Sequence, residues 1–116
     1  MQYRPFGKLD FQVSALGFGM MRLPTTSDNP ADIDRPATIA MVRRAIDAGV
    51  NYIDTAYPYH GGQSEVVTGL ALADGYRAKV KIATKLPTWL VACEDDVDRL
   101  LDEQLRRLND TFIDVY

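Results

Sequence analysis

The fold is indicated first by residues 51–65, which read NYIDTAYPYHGGQSE. The residues from Asn51 to Ala56 predict a strand that ends in an aspartate, a threonine and an alanine. The stretch that begins at Gly61 predicts a helix, which Gly75 closes. A strand that runs into a helix through a short, glycine-containing loop is the repeating unit of proteins with a parallel sheet.

The same alternation continues on both sides of this unit, because apolar residues recur at strand spacing and then at helix spacing. Outside the unit, the predicted elements are a hairpin-like stretch (Tyr3 to Val13), a glycine-spaced buried strand (Ser14 to Leu23), a loop (Pro24 to Pro36), a helix (Ala37 to Ala48), a strand (Lys79 to Leu86), a helix (Glu94 to Asn109) and a strand that starts at Phe112. This order predicts an α/β protein with a parallel sheet. A doubly wound sheet and part of a (β/α)8 barrel both fit the pattern.

Composition and charge narrow the class of protein. The chain has 116 residues, a net charge of −3 and 47% hydrophobic residues, which suits one globular domain over residues 1–116. The negative charge provides no basic stripe, which disfavours nucleic acid as a partner. The single cysteine, Cys93, cannot form an internal disulfide, and no apolar run approaches the ~20 residues that cross a membrane. We therefore expect a cytoplasmic protein that binds neither nucleic acid nor membranes.

Ionisable residues stand where two predicted strands end. Asp54 and Lys85 end neighbouring strands of the predicted sheet, and Tyr59 lies in the loop beyond Asp54. Ligands of parallel α/β proteins bind at the carboxyl ends of the strands, so the three side chains would share one crevice. An ammonium group near a phenol favours its ionised form, and such a tyrosine can donate a proton to a carbonyl oxygen. The alternative is a structural Asp–Lys pair with an unrelated loop tyrosine.

Five segments resemble motifs of the aldo-keto reductase family, and they follow one another along the chain in the family's order. Residues 54–65 (DTAYPYHGGQSE) resemble the family signature, in which Asp-Thr-Ala precedes Tyr, Gly and Ser-Glu. The other matches are the N-terminal hairpin (residues 3–8, YRPFGK), the first strand (residues 13–19, VSALGFG), the lysine strand (residues 82–87, IATKLP) and the approach to the fourth strand (residues 105–116). Residues 58–62 (PYHGG) and 84–87 (TKLP) look most like the subgroup whose longer members carry a C-terminal iron–sulfur domain.

The resemblance implies a fold and an activity. The fold would be the first half of a (β/α)8 TIM barrel: a β-hairpin, then β-α-β-α-β-α-β. The family uses NADPH or NADH to reduce aldehydes and ketones, or runs in reverse, so the implied partner is a small carbonyl compound. By resemblance Asp54, Tyr59 and Lys85 are catalytic, with Tyr59 as the proton donor. Met20, Met21 and Arg22, together with Asp54, would bind the cofactor near its nicotinamide.

The chain also departs from the family pattern. The family's catalytic histidine closes the fourth strand, a few residues past the position of Tyr116, and no residue here corresponds to it. The family's phosphate and adenine contacts come mainly from the last strands, and a (β/α)8 barrel needs at least ~200 residues. We therefore expect an N-terminal fragment that is inactive alone, has no certain cofactor of its own and carries no iron–sulfur cluster in these residues.

Other interpretations stay open beside this one. The chain could be a non-catalytic half-barrel that forms a homodimer through its exposed sheet edges. A flavodoxin-like doubly wound domain is a third possibility. His60 is either a substrate-facing loop residue or a solvated or hydrogen-bonded bystander. Cys93 fits a buried or helix-start position better than a redox site.

Overall fold

The computed structural model describes residues 1–116, and its elements follow the predicted order. The strands are β1 (Tyr3–Pro5), β2 (Gln12–Ser14), β3 (Phe18–Gly19), β4 (Tyr52–Asp54) and β5 (Lys81–Ala83), and the helices are α1 (Arg35–Asp47), α2 (Gln63–Ala71) and α3 (Asp95–Leu108). Short 3-10 turns lie at Tyr59–Gly62, Tyr76–Lys79 and Thr88–Leu90. None of the helices is long and apolar enough to cross a membrane.

The strands form two separate sheets. β1 and β2 pair antiparallel as a hairpin, whereas β3, β4 and β5 form a parallel sheet in that order. Val115 adds a single parallel bridge beside Ala83, on the free side of β5. The predicted hairpin and the predicted parallel α/β sheet are therefore both confirmed.

Several strands are shorter than predicted, and hydrogen bonding explains why. In the predicted strand Ser14 to Leu23, Ser14 pairs with Tyr3 in the hairpin, and the backbone N–H of Leu23 donates to His60 at 3.1 Å. Only the middle of that segment is left to pair with β4. β5 begins at Lys81 because the preceding residues form a 3-10 turn. The predicted fourth strand contributes only the bridge of Val115.

The ends of the helices follow from local sequence. Asp34 caps α1 through a side-chain oxygen that accepts from the N–H of Ala37 at 3.0 Å, and Pro36 is tolerated in the first turn. This cap lets α1 begin at Arg35, two residues earlier than predicted. Gly49, with φ of +100°, follows the helix as the predicted stop.

The helices pack on one another at the back of the parallel sheet, and α2 touches both α1 and α3. The buried core is formed by apolar side chains from the sheet and all three helices, among them Met20, Val42, Ile53, Val67, Ile82 and Leu108. α2 and α3 approach closely at Gly69, where an added Cβ would lie 2.2 Å from the carbonyl oxygen of Leu108.

Replacing Gly69 with alanine is expected to destabilise the fold, because the new methyl group would overlap a backbone atom that cannot rotate away. Overpacking of this kind costs about 1–3 kcal/mol. Urea denaturation would measure the loss. Gly19→Ala is the matched control, since a Cβ there meets nothing within 4 Å. Equal midpoints for wild type and Gly69→Ala would contradict the assignment of a tight α2–α3 contact.

The segment after α3 is held to the sheet by a buried carboxylate. Asp114 accepts from the backbone N–H of Ile82 at 2.9 Å, from Lys81 at 2.9 Å and from Arg77 at 2.8 Å. Burial alone would raise the pKa of Asp114, but the Ile82 hydrogen bond and the two cations outweigh it, so the pKa lies below its ordinary value.

Asp114→Asn is expected to lower stability by about 2 kcal/mol at neutral pH, because it removes hydrogen bonds to charged groups. A depressed pKa contributes stability that is present above the unfolded-state pKa of ~3.9 and is lost as the pH falls through the folded-state value. The gap between wild type and variant should therefore narrow below about pH 4. Denaturation at several pH values measures it, with the exposed Asp28→Asn as control. A gap that does not change with pH would contradict the prediction.

Candidate active site

The parallel sheet brings Asp54 and Lys85 together at its carboxyl edge. Lys85 Nζ lies 3.0 and 2.9 Å from the two carboxylate oxygens of Asp54 and 2.7 Å from the carbonyl oxygen of Thr55. β4 and β5 are adjacent and parallel, with Asp54 beside Ala83. Lys85 follows Ala83 by two residues, so both side chains lie at the carboxyl edge of the sheet, and the Lys85 side chain reaches back to Asp54. The Asp54 and Lys85 side chains are 40% and 52% exposed, and an ion pair this exposed contributes little to stability.

Tyr59 lies above the same pair. The Lys85 ammonium is 5.4 Å from the centre of the Tyr59 ring, within the range of a cation–π contact. The three acceptors on Asp54 and Thr55 match the three hydrogens of the ammonium group. Lys85 therefore faces the Tyr59 ring with its charge and has no hydrogen left to donate to the phenol.

The turn that carries Tyr59 is held by His60. His60 Nε2 accepts from the backbone N–H of Leu23 at 3.1 Å, and Nδ1 donates to the carbonyl oxygen of Pro30 at 2.6 Å. His60 adopts a left-handed backbone, with φ of +54°. Both ring nitrogens are thus occupied by main-chain atoms, and His60 joins the Tyr59 turn to the loop that follows β3.

The residues predicted to lie near a nicotinamide occupy two different environments. Met20 is fully buried; its N–H donates to the Asp54 carbonyl at 2.8 Å and its carbonyl accepts from Ser64 at 2.9 Å. Met21 and Arg22 are exposed and follow Met20 at the end of β3, the strand beside β4. A flat cofactor ring at this edge would meet the exposed Met21 and Arg22, whereas Met20 would support them from below.

Charge and burial also act on a tyrosine beside the site. Burial is the main cause that raises the pKa of Tyr52, and the Asp54 carboxylate raises it further. The positive charge of Lys85 lowers this pKa by a smaller amount. Tyr52 therefore stays a neutral phenol next to the ion pair. Its ring packs on Phe6, with ring centres 5.6 Å apart, which joins the hairpin to the first residue of β4.

A buried polar cluster behind Lys85 was not predicted. It consists of Glu65, Thr84 and Gln104, each at most 2% exposed. Two signals in the sequence could have revealed it. Glu65 closes the signature segment, and Gln104 lies four residues from both Leu100 and Leu108, on the apolar stripe of α3. A polar residue on such a stripe indicates a buried hydrogen-bonding partner.

Comparison with known proteins gives the class that this fold and site define. Residues 15–116 match the model of the Aldo/keto reductase family. The chain belongs to that family, whose members include NAD(P)H-dependent oxidoreductases built as TIM barrels.

Individual relatives agree with this assignment. L-galactose dehydrogenase of Arabidopsis thaliana is 31% identical over 121 residues, which is 99% of this chain and 37% of the relative. NADH-specific methylglyoxal reductase of Escherichia coli (strain K12) is 35% identical over 85 residues, which is 73% of this chain and 26% of the relative. The chain thus spans about a third of the length of these curated relatives.

Solved structures show the same fold. A thermostable aldo-keto reductase crystallised with the inhibitor epalrestat superposes with a TM-score of 0.78 and 30% identity, covering 97% of this chain and 40% of that one. An aldo-keto reductase from Klebsiella pneumoniae in complex with NADPH gives a TM-score of 0.74 and 31% identity, covering 89% of this chain and 34% of that one. The sheet and helices described here therefore correspond to part of a (β/α)8 barrel.

Proposed function

We propose that this chain supplies the proton-transfer part of an NAD(P)H-dependent carbonyl reductase. The single observation that carries the proposal is the contact of Lys85 with both Asp54 oxygens directly beneath the Tyr59 ring. Catalytic groups are assigned by such geometry at the edge of the sheet where ligands bind. The substrate would be a small aldehyde or ketone, and Cys93, an exposed free thiol, suits a reducing cytoplasm.

The three side chains have separate roles in this proposal. When bound, NADPH or NADH supplies the hydride that reaches the carbonyl carbon. Tyr59 donates its phenolic proton to the carbonyl oxygen, so that an alcohol forms, and recovers a proton from water. The Lys85 charge stabilises the phenolate that is left, and Asp54 holds the ammonium in place. Met21 and Arg22 are the exposed residues that would contact the nicotinamide, with Asp54 beside them.

We infer further that residues 1–116 alone do not catalyse the reaction. The family's catalytic histidine and most of its cofactor contacts have no counterpart among these residues, so cofactor affinity and substrate orientation should both be weak. Titration of the purified chain with NADPH and NADH is expected to give no saturation at millimolar concentration, and no reduction of small aldehydes. Measurable carbonyl reduction by a monomer of this chain would contradict the inference.

A hybrid enzyme tests the proposed function itself. Residues 1–116 would replace the matching segment of the thermostable reductase, on which the chain superposes with a TM-score of 0.78. The hybrid is expected to reduce small aldehydes with NADPH or NADH. Circular dichroism and NADPH binding would establish that it is folded and loaded. A hybrid that folds and binds cofactor but reduces no carbonyl compound would overturn the proposal.

Self-association is the second candidate function. β3 is an outer strand of the parallel sheet, and Val115 contributes one bridge on the opposite side. Large apolar side chains close in sequence to β3, β5 and Val115 are exposed: Leu16, Trp89 and Phe112 are 62%, 66% and 53% exposed. Unpaired edges favour association with a second chain. Light scattering would distinguish the candidates, because a dimer supports the second and a folded monomer argues against it.

A further inference from the structure

The main chain at Lys85 depends on a single partner. β5 ends at Ala83, and the N–H of Thr84 still bonds to the carbonyl of Val115 at 3.1 Å. Beyond that point, Lys85 forms no backbone–backbone hydrogen bond. Its carbonyl oxygen accepts from Gln104 Nε2 at 3.1 Å, which joins the strand end to α3.

Gln104 is itself held in one orientation. Its amide nitrogen has two hydrogens, one for the Lys85 carbonyl and one for Glu65 Oε1, which lies 2.6 Å away. Thr84 Oγ1, 3.1 Å from the same nitrogen, gives its own hydrogen to Glu65. The amide oxygen of Gln104 accepts from the hydroxyl of Tyr116 at 2.8 Å. The Tyr116 hydroxyl donates and the Glu65 carboxylate only accepts, so these two partners distinguish the amide oxygen of Gln104 from its amide nitrogen. The carboxamide therefore cannot turn over without losing hydrogen bonds at both ends.

Glu65 anchors this arrangement from α2. Its carboxylate is fully buried; Oε1 accepts from Thr84 at 2.7 Å as well as from Gln104, and Oε2 is 3.4 Å from Arg107. Hydrogen bonds to a buried carboxylate are stronger than those between neutral groups. The orientation of Gln104 is thus set by a charge that has no contact with the exposed side of the site.

We propose that Gln104, oriented by Glu65 and Tyr116, is a positioning residue that sets where the Lys85 ammonium lies relative to Asp54 and Tyr59. The ammonium stands on a flexible four-carbon stem, so its location depends on a fixed backbone origin. Gln104 provides that origin by holding the Lys85 carbonyl. The catalytic meaning of this assignment rests on the proposed function, but the positional effect on Lys85 does not.

The test measures Lys85 directly. NMR of the 15N-labelled chain gives the rate at which the Lys85 ammonium hydrogens exchange with water. Gln104→Met keeps the volume of the side chain but removes the hydrogen bond to the Lys85 carbonyl. We expect exchange about fivefold faster, which corresponds to the loss of one hydrogen bond of ~1 kcal/mol. Lys79, paired with Asp47 on the surface, is the internal reference.

A control separates positioning from stability. Val67→Ala removes buried apolar volume from α2 at a residue that forms none of the hydrogen bonds of the cluster, so it should destabilise the fold while leaving Lys85 exchange unchanged. Equal exchange in wild type and Gln104→Met, or equal acceleration in Val67→Ala, would overturn the proposal. If Gln104→Met does not fold, Tyr116→Phe is the variant to measure. It is a milder change that removes only the hydrogen bond to the amide oxygen of Gln104. Faster exchange supports the proposal and an unchanged rate overturns it.

The rate of Lys85 hydrogen exchange can be measured whether or not the proposed function is correct. Lys85 exchange is read on the chain itself, without cofactor or substrate. A positive result here with a folded but inactive hybrid would mean that Gln104 positions Lys85 in a chain that is not a reductase. The opposite combination would leave the reductase proposal intact and reject the role of Gln104.

Discussion

Tyr59→Phe in the hybrid enzyme is expected to lower kcat for carbonyl reduction by about 10²–10⁴-fold, the range contributed by a positioned general acid. The change removes only the hydroxyl group, and the ring keeps its place over the Lys85 ammonium. NADPH binding should stay close to that of the parent hybrid, because the loss falls on proton donation. Steady-state kinetics with a small aldehyde, together with a cofactor titration, would check both expectations.

Tyr57→Phe is the matched control for this experiment. Tyr57 lies two residues away in the same loop, but its hydroxyl donates to Glu103 at 3.1 Å on α3. The same chemical change there should lower stability slightly and leave kcat unchanged. If Tyr59→Phe also kept full activity, Tyr59 would not be the proton donor, and the three side chains would be a structural group at a strand edge.

Arg107→Leu is expected to lower the free energy of unfolding by about 3–5 kcal/mol, because it leaves the buried Glu65 carboxylate without its cation. Arg107 lies 3.4 Å from Glu65 and 2.5 Å from Glu103, and its guanidinium is 4.0 Å from the centre of the Tyr57 ring. Thr84 and Gln104 remain as donors, but neither is charged. Chemical denaturation would measure the change.

Two further variants make this prediction specific. Arg106→Ala removes the neighbouring arginine of α3, which bonds only to the carbonyl of Asp102 in its own helix, so stability should change little. The double variant Glu65→Met with Arg107→Leu should recover part of the loss, because no unpaired charge is left in the interior. Additive losses in the double variant would show that Glu65 and Arg107 are not coupled.

Helix positions were predictable from the sequence to within two residues at most ends, whereas strand lengths were not. A helix can be recognised in the sequence from the spacing of its apolar residues and from its capping residues, such as Asp34 at the start of α1. A strand exists only where a neighbour pairs with it. The predicted strand Ser14 to Leu23 was therefore shared between the hairpin, the parallel sheet and a contact with His60.

The candidate site also has a part that the sequence predicts and a part that only the structure shows. Asp54 and Lys85 could be named from the sequence because each lies at or just past the end of a strand of one parallel sheet. That topology brings the strand ends to one edge. The hydrogen bonds of the Lys85 ammonium to Asp54 and Thr55 could not be predicted, because they depend on the side-chain conformation. The sequence allows two roles for His60, and only the structure shows that Leu23 and Pro30 occupy both of its ring nitrogens.

The amino-acid sequence by itself determined the alternation of strands and helices, the membership in a family and the residues at the carboxyl edge, because these depend on local spacing and short motifs. Only the tertiary structure decided how Glu65 on α2 and Gln104 on α3, 39 residues apart, meet behind Lys85. Contacts of that range arise when helices pack on a sheet. The apolar stripe of α3 marks Gln104 as a buried polar residue, but no spacing in the chain identifies Glu65 as its partner.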